Sequence, residues 1–350
     1  MKLADTIAAG DVYFIAEMSA NHGGDLERAL AIVDAAADAG ASCLKVQTYT
    51  ADTLTLDCDN EYFRITGGLW DGMTLHDLYA DASFPWEWHE PVMRRCEERD
   101  IDFLSTPFDE TAVDFLEDLG VGAYKIASFE LVHIPLIRRA AATGKTMIIS
   151  TGMGSIDEIS DAVCACRTVG NDDIVLLRCC SEYPADPADM NLASILDMAE
   201  RFGCEVGFSD HSMGHAADVV AAVLGASVIE KHFCLDRATK TADSAFSMTP
   251  GEYADMVSAV RSARRSMGEP LYGPTVHEEG SLVFRRSVFA CSDIRAGEPF
   301  TTDNIRIVRP AHGASPKHYD DLLGTLADRD YAFGEPVFFP SDGAALGGER

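Results

Sequence analysis

Glu205-Val-Gly-Phe-Ser-Asp-His211 and Ser227-Val-Ile-Glu-Lys-His232 decide how the chain is read. Each stretch is short and β-prone, ends on a histidine, and is followed by a helical pattern. Strands joined through helices run parallel, so both imidazoles are expected at the C-terminal ends of neighbouring strands. A divalent metal can bridge two such rings, with lysine and serine donors nearby for an anion. The plain alternative is two unrelated histidines in a chain that has ten.

The same alternation extends outward from this pair. Apolar spacing predicts strands over 12–17, 42–48, 101–105, 122–128, 146–150 and 174–179, ahead of the two that carry the histidines. Helices are predicted over 25–38, 86–99, 109–118, 134–142, 156–169, 192–201 and 250–267. A longer excursion, 49–85, carries the turn signals Gly67-Gly68 and Asp71-Gly72. Eight βα units in about 270 residues point to a (β/α)8 TIM barrel. A doubly wound sheet is the runner-up, but no G-x-G-x-x-G follows the first strand.

The predicted strand ends are Glu17; Lys45 and Gln47; Ser105-Thr106; Lys125 and Ser128; Ser150-Thr151; Ser181; Ser209 and His211; and His232. All eight are polar, on the face where barrels carry their chemistry. Lysine placement strengthens this. Of 28 basic residues only seven are lysines, and Lys45, Lys125 and Lys231 fall inside apolar strands. A buried ammonium is costly unless paired, so such placement suggests a bound anion. Lys231 alternates to the other side of its strand from His232, and its expected partner is Glu230 or an acid on a helix. His22 and His89 are expected to be a turn residue and a structural residue. Trp70, Trp86 and Trp88 are as readily core as sugar-stacking.

The catalytic domain is placed at 1–270, a linker with Gly273 and Pro274 at 271–284, a small β-rich module at 285–343 and a frayed tail at 344–350. The module is expected to bury little core of its own. The net charge of −29 argues against nucleic acid and anionic membranes as partners. A high-salt cytoplasm is one explanation for it, since salt screens self-repulsion. No run reaches the ~18 apolar residues of a membrane helix, and the N-terminus lacks a signal-peptide core. Ten cysteines without framework spacing fit a reducing cytoplasm.

Together these segments resemble the sialic acid synthase family of phosphoenolpyruvate-dependent nonulosonate synthases. The matching motifs are Ala16-Glu-Met-Ser-Ala-Asn-His22, Lys45-Val-Gln-Thr, Ser105-Thr-Pro-Phe, Tyr124-Lys-Ile-Ala-Ser-Phe-Glu130, Ser150-Thr-Gly-Met, Ser209-Asp-His and Glu230-Lys-His-Phe. Phe284-Arg-Arg-Ser and Arg309-Pro look like the family's antifreeze-like (SAF) domain. Leu69-Trp-Asp-Gly and Pro85-Trp-Glu-Trp-His89 look like its pseudaminic acid synthase branch.

The resemblance implies a transferase that condenses phosphoenolpyruvate with 2,4-diacetamido-2,4,6-trideoxy-L-altrose and water, releasing phosphate by C–O cleavage. N-acetylmannosamine or the legionaminate precursor are the alternative acceptors. It implies Mn²⁺ or Mg²⁺ at His211 and His232, with Glu17 orienting water or moving a proton. It gives phosphoenolpyruvate to Lys45, Thr106, Lys125, Ser128, Ser150, Ser181 and Ser209. It gives the sugar to Gln47, Glu130, Tyr183 and Asp243. It also implies a domain-swapped homodimer in which an arginine, here Arg309 with Arg285 and Arg286 as fallbacks, reaches the partner's site. Two departures stand out: Cys179-Cys-Ser181 replaces Cys-Thr-Ser or Cys-Thr-Asn, and Arg309-Pro-Ala replaces Arg-Pro-Gly. A non-catalytic carbohydrate- or ice-binding protein is the competing class, and paired lysines with metal ligands argue against it.

Overall fold

The structure, a computed structural model, describes residues 2–67 and 70–338. Two compact units divide the chain, Met1–Gly268 and Glu269–Arg350. The first holds eight parallel strands: β1 (Tyr13–Glu17), β2 (Cys43–Thr48), β3 (Asp102–Pro107), β4 (Ala123–Ile126), β5 (Thr146–Ser150), β6 (Ile174–Cys179), β7 (Glu205–Asp210) and β8 (Val228–His232). They pair in the order β3-β2-β1-β8-β7-β6-β5-β4, and β3 packs beside β4 to close the ring. The helices Leu26–Asp38, His89–Glu98, Glu110–Leu119, Ile134–Ala141, Ile156–Thr168, Ser194–Phe202, Ala216–Val223 and Pro250–Met267 follow successive strands. This is the expected (β/α)8 barrel.

Local chemistry sets the helix starts. Asp25 accepts from the Glu27 backbone N–H and Asp109 from those of Thr111 and Ala112, while Ser155 with Glu158 forms a reciprocal cap. The strands are covered on both faces, which is why they read as near-continuous apolar runs. Tyr13, Ile15, Cys43, Leu104, Ile148, Val175, Leu177 and Val228 fill the barrel, joined by Leu3 of the helix Leu3–Ala8. A second, larger core lies between the sheet and its helices.

Three departures from the predicted elements bear on the site. The fourth strand stops at Ile126, and Ser128–Glu130 turn into a short 3-10 helix. Residues 86–88 form a 3-10 turn before the helix His89–Glu98. The excursion holds the helices Ala51–Leu54 and Leu75–Ala82. Between them Ile65 N–H donates to the Met73 carbonyl and Leu75 N–H to that of Phe63. Leu69 lies outside the described residues.

In the second unit β9 (Ser287–Ala290) and β10 (Ile305–Val308) pair antiparallel. Val288, Ile294, Phe300, Ile305, Tyr331 and Val337 form a core there. Apolar side chains from its turns converge on this one small sheet. The tail at 344–350 lies outside the described residues. All ten cysteines are unpaired. Among the described residues, no helix is long and apolar enough to cross a membrane.

Candidate active site

Strand register brings the charged strand ends together. Glu17 of β1 lies level with Lys45 of β2 on one side and His232 of β8 on the other. Lys45 Nζ stands 2.8 Å from Glu17 Oε2 and 3.8 Å from Glu230 Oε1, and donates to Thr106 Oγ1 at 3.2 Å. Lys125 Nζ stands 3.7 Å from the same Glu230 oxygen and donates to Ser150 Oγ at 2.6 Å and the Ile126 carbonyl at 3.1 Å. Ser209 donates to Glu230 at 3.2 Å. All of these side chains are buried.

Two lysine ammonium groups face the carboxyl groups of Glu17 and Glu230 in one buried quartet. Burial raises the Glu17 pKa and Lys45 opposes the rise without cancelling it, so Glu17 sits above the ordinary carboxylate range. Burial also opposes the charges of Lys45 and Glu230, but their ion pairs prevail and both stay charged. Lys125 is pushed down by burial, which the attraction of Glu230 only partly offsets.

Beside the quartet, hydroxyls surround a glycine. Ser128 Oγ accepts from the Gly152 N–H at 3.1 Å. A Cβ at Gly152 would stand 2.2 Å from Ser181 Oγ and 2.7 Å from Ser128 Oγ. The backbone can approach both hydroxyls only because no side chain is present. With Lys125 and Ser150 these groups make a cradle suited to an anion.

His211 and His232 face each other with ring centroids 5.3 Å apart. His211 Nδ1 lies 2.8 Å from the Cys180 carbonyl. A carbonyl only accepts, so Nδ1 donates to it. Metal-ligating histidines commonly have this arrangement. Burial lowers the His211 pKa, but Cys179 and the Cys180 carbonyl outweigh burial and the net shift is upward. His232 Nδ1 is buried without a hydrogen-bond partner. Burial, and then the cations around it, push this ring's pKa well below the ordinary value, so it is neutral. Tyr183 lies tilted over His211, centroids 4.3 Å apart. Among the described residues no group of three His, Cys, Asp or Glu side chains is placed to hold a metal. The orphaned nitrogen and the oriented neighbour fit a cation held by two imidazoles, with its other positions left to substrate and water.

A cavity of about 480 Å³ reaches this region at Ser181, Tyr183 and His232. Ser19, Gln47, Glu130, Ser181, Tyr183, His232 and Asp243 supply its polar lining. Gln47 donates to Glu17 Oε1 at 2.8 Å and Ser19 Oγ at 3.2 Å. Asp243 accepts from the Ala20 N–H at 3.3 Å. Glu130 Oε2 has no partner, and burial pushes this carboxyl up to about 7.

The structure thus gathers Glu17, Lys45, Thr106, Lys125, Ser150, Ser209, His211 and His232 with the Ser128–Ser181 cradle, and puts Gln47, Glu130, Tyr183 and Asp243 on the cavity. Other polar strand ends serve the fold. Ser105 bonds Thr48, which bonds His89, and Thr151 bonds the Leu177 carbonyl. His22 accepts from the Gly24 N–H and packs edge-on against Phe84 and Trp88, as a turn residue should. Trp86 is structural, donating to the Tyr49 carbonyl, while Trp70 lines the cavity. Cys180 meets His211 through its carbonyl, so the thiol that replaces a hydroxyl is not what orients the ring.

Lys231 pairs with Asp210 and lies 3.6 Å from Asp218 on the helix Ala216–Val223, not against Glu230. Adjacent strand residues point to opposite faces, which separates Lys231 from Glu230. Arg309 is exposed after β10 in the second unit. Glu230, Gly152 and Ser19 are site residues that motif reading had not assigned.

The chain matches the NeuB family over residues 32–272 and the SAF domain over residues 285–340. It is 44% identical over 326 residues to a pseudaminic acid synthase of Campylobacter jejuni, covering 93% of this chain and 95% of the relative. An N,N'-diacetyllegionaminic acid synthase of the same organism is 33% identical over 321 residues, covering 91% of this chain and 96% of the relative. Among solved structures, N-acetylneuraminic acid synthetase from Leptospira borgpetersenii, in complex with citrate, aligns with a TM-score of 0.69 at 32% identity, covering 77% of this chain and 90% of that one.

Proposed function

The chain belongs to the NeuB family, and we propose that its reaction is that of a pseudaminic acid synthase. Phosphoenolpyruvate and 2,4-diacetamido-2,4,6-trideoxy-L-altrose condense with water to give pseudaminate and phosphate. The observation that carries this reading is the 44% identity with a pseudaminic acid synthase along nearly the whole chain, against 33% with the legionaminic acid synthase.

The site supports the chemistry. Lys45, Lys125 and the hydroxyls of Ser128, Ser150, Ser181 and Ser209 offer phosphoenolpyruvate two cations and directed donors at the barrel mouth. Its C3 attacks the acceptor aldehyde carbon, water adds at C2, and the C2–O bond breaks to release phosphate. A divalent cation held by His211 and His232, Mn²⁺ or Mg²⁺, would supply a Lewis acid to polarise the aldehyde oxygen. Glu17, whose carboxyl burial raises and which Lys45 and Gln47 hold in place, can orient the water or move a proton. Glu130, Gln47, Tyr183 and Asp243 line the space for the sugar.

We place the enzyme in the cytoplasm, which its ten unpaired cysteines favour. We further propose a domain-swapped homodimer in which Arg309 of one copy serves the other's acceptor site. Leu271, Tyr272, Val276 and Phe284, all exposed, offer apolar surface for such pairing.

The chemistry is tested by phosphoenolpyruvate labelled with ¹⁸O at the bridging oxygen. Label recovered in phosphate supports C–O cleavage; label retained in the sugar product contradicts it.

A further inference from the structure

The cavity's lining changes character along the chain. Most of its polar groups come from strand ends and the connections after them, with the hydroxyls of Tyr49 and Tyr79 added from the start and the helix of the excursion. Leu54, Ile65, Trp70, Leu75 and Leu78 come from the excursion between β2 and β3, and Phe108 from just beyond β3. None of the six carries a charge, and only Trp70 can form a hydrogen bond. Tyr49 braces this wall, packing edge-on against Tyr79 at 6.0 Å and Phe108 at 5.1 Å. The backbone hydrogen bonds of Ile65 and Leu75 fix its far end.

We propose that this apolar wall is the specificity determinant for the acceptor, seating the C6 methyl and an acetamido methyl and disfavouring hexoses that carry hydroxyls at C4 and C6. The inference rests on the synthase reading above. A trideoxy diacetamido sugar presents three methyl groups. N-acetylmannosamine presents one, with hydroxyls at C4 and C6. A hydroxyl pressed against the aliphatic side chains of Leu54, Ile65, Leu75 and Leu78 gives up water without finding a partner there, whereas a methyl group gains burial. The wall does not distinguish stereoisomers that share those methyls, so the altro and manno trideoxy sugars differ only through the polar groups.

The test compares kcat/KM for 2,4-diacetamido-2,4,6-trideoxy-L-altrose, its manno isomer and N-acetylmannosamine in the full-length wild type, Ile65→Asn and Leu78→Asn. Both side chains are only half-buried, so the fold should tolerate the change. Thermal stabilisation by phosphoenolpyruvate checks that the anion site is intact. The variants should lose about 10- to 100-fold in kcat/KM for both trideoxy sugars, narrowing their advantage over N-acetylmannosamine, at unchanged KM for phosphoenolpyruvate. A wild type selective for trideoxy sugars, with variants that keep its selectivity, overturns the wall proposal alone. A wild type that prefers N-acetylmannosamine, or turns over none of the three, overturns the synthase reading and the wall with it.

Discussion

At Gly152 one methyl group separates an open anion cradle from a blocked one. An added Cβ would overlap the Ser181 and Ser128 hydroxyls, and forced overlap of this kind costs about 1–3 kcal/mol. Gly152→Ala should therefore raise the KM for phosphoenolpyruvate by about 10- to 100-fold and abolish its thermal stabilisation at ordinary concentrations. An unchanged KM would show that the hydroxyls do not hold the anion. Glu130 gives a pH signature. Its carboxyl moves from an ordinary 4.5 up to about 7 through burial. Across that window the folded chain keeps a proton that the unfolded chain has lost, so stability falls as pH rises. Urea midpoints measured from pH 4.5 to 7 should show this slope, and Glu130→Gln should remove it.

Much at this scale was legible. Lys45 and Lys125 stand out because lysine is rare here and both interrupt apolar strands. Glu230 lies two residues before His232 and so shares its face, a signal the sequence carries. An adjacent lysine obscures it, since Glu230-Lys231 reads as an ion pair until strand alternation is applied. Gly152 was invisible as a site residue because its role depends on two serines from other strands.

At the scale of elements, β7 and β8 are joined behind the histidines by a buried clasp. Lys231 Nζ pairs with Asp210 and donates to the carbonyls of Ser212 and Gly214, both at 2.8 Å. Asp210 immediately precedes His211, and Lys231 immediately precedes His232. Lys231→Met leaves the Asp210 carboxylate, its close partner, buried without its cation and should cost about 3–5 kcal/mol in urea denaturation. Asp210→Asn added to it should recover part of the loss. The βα repeat was legible because each strand is nearly all buried and each helix amphipathic. The excursion was legible only as an interruption. Its helix Leu75–Ala82 has apolar positions at Leu75, Leu78, Tyr79 and Ala82 and a Thr74 cap accepting from Asp77. The preceding glycine turns mask that short pattern, and no local signal shows that the segment walls a cavity.

For the whole molecule, charge and assembly remain open to measurement. At −29 the chain repels itself, and added salt should raise its unfolding temperature through screening. Full stability at low ionic strength would contradict salt adaptation. If Arg309 acts in the partner's site, Arg309→Ala mixed with Lys45→Met should regain activity that neither variant has alone, because a mixed dimer assembles one complete site.

The most direct test of the account is a single competition. Phosphoenolpyruvate is offered with Mn²⁺ and equal amounts of 2,4-diacetamido-2,4,6-trideoxy-L-altrose, its manno isomer and N-acetylmannosamine, and the products are identified by mass spectrometry with chromatographic standards. The account predicts phosphate release matched by pseudaminate as the main product. Neuraminate or legionaminate as the main product, or no phosphate release at all, would contradict it.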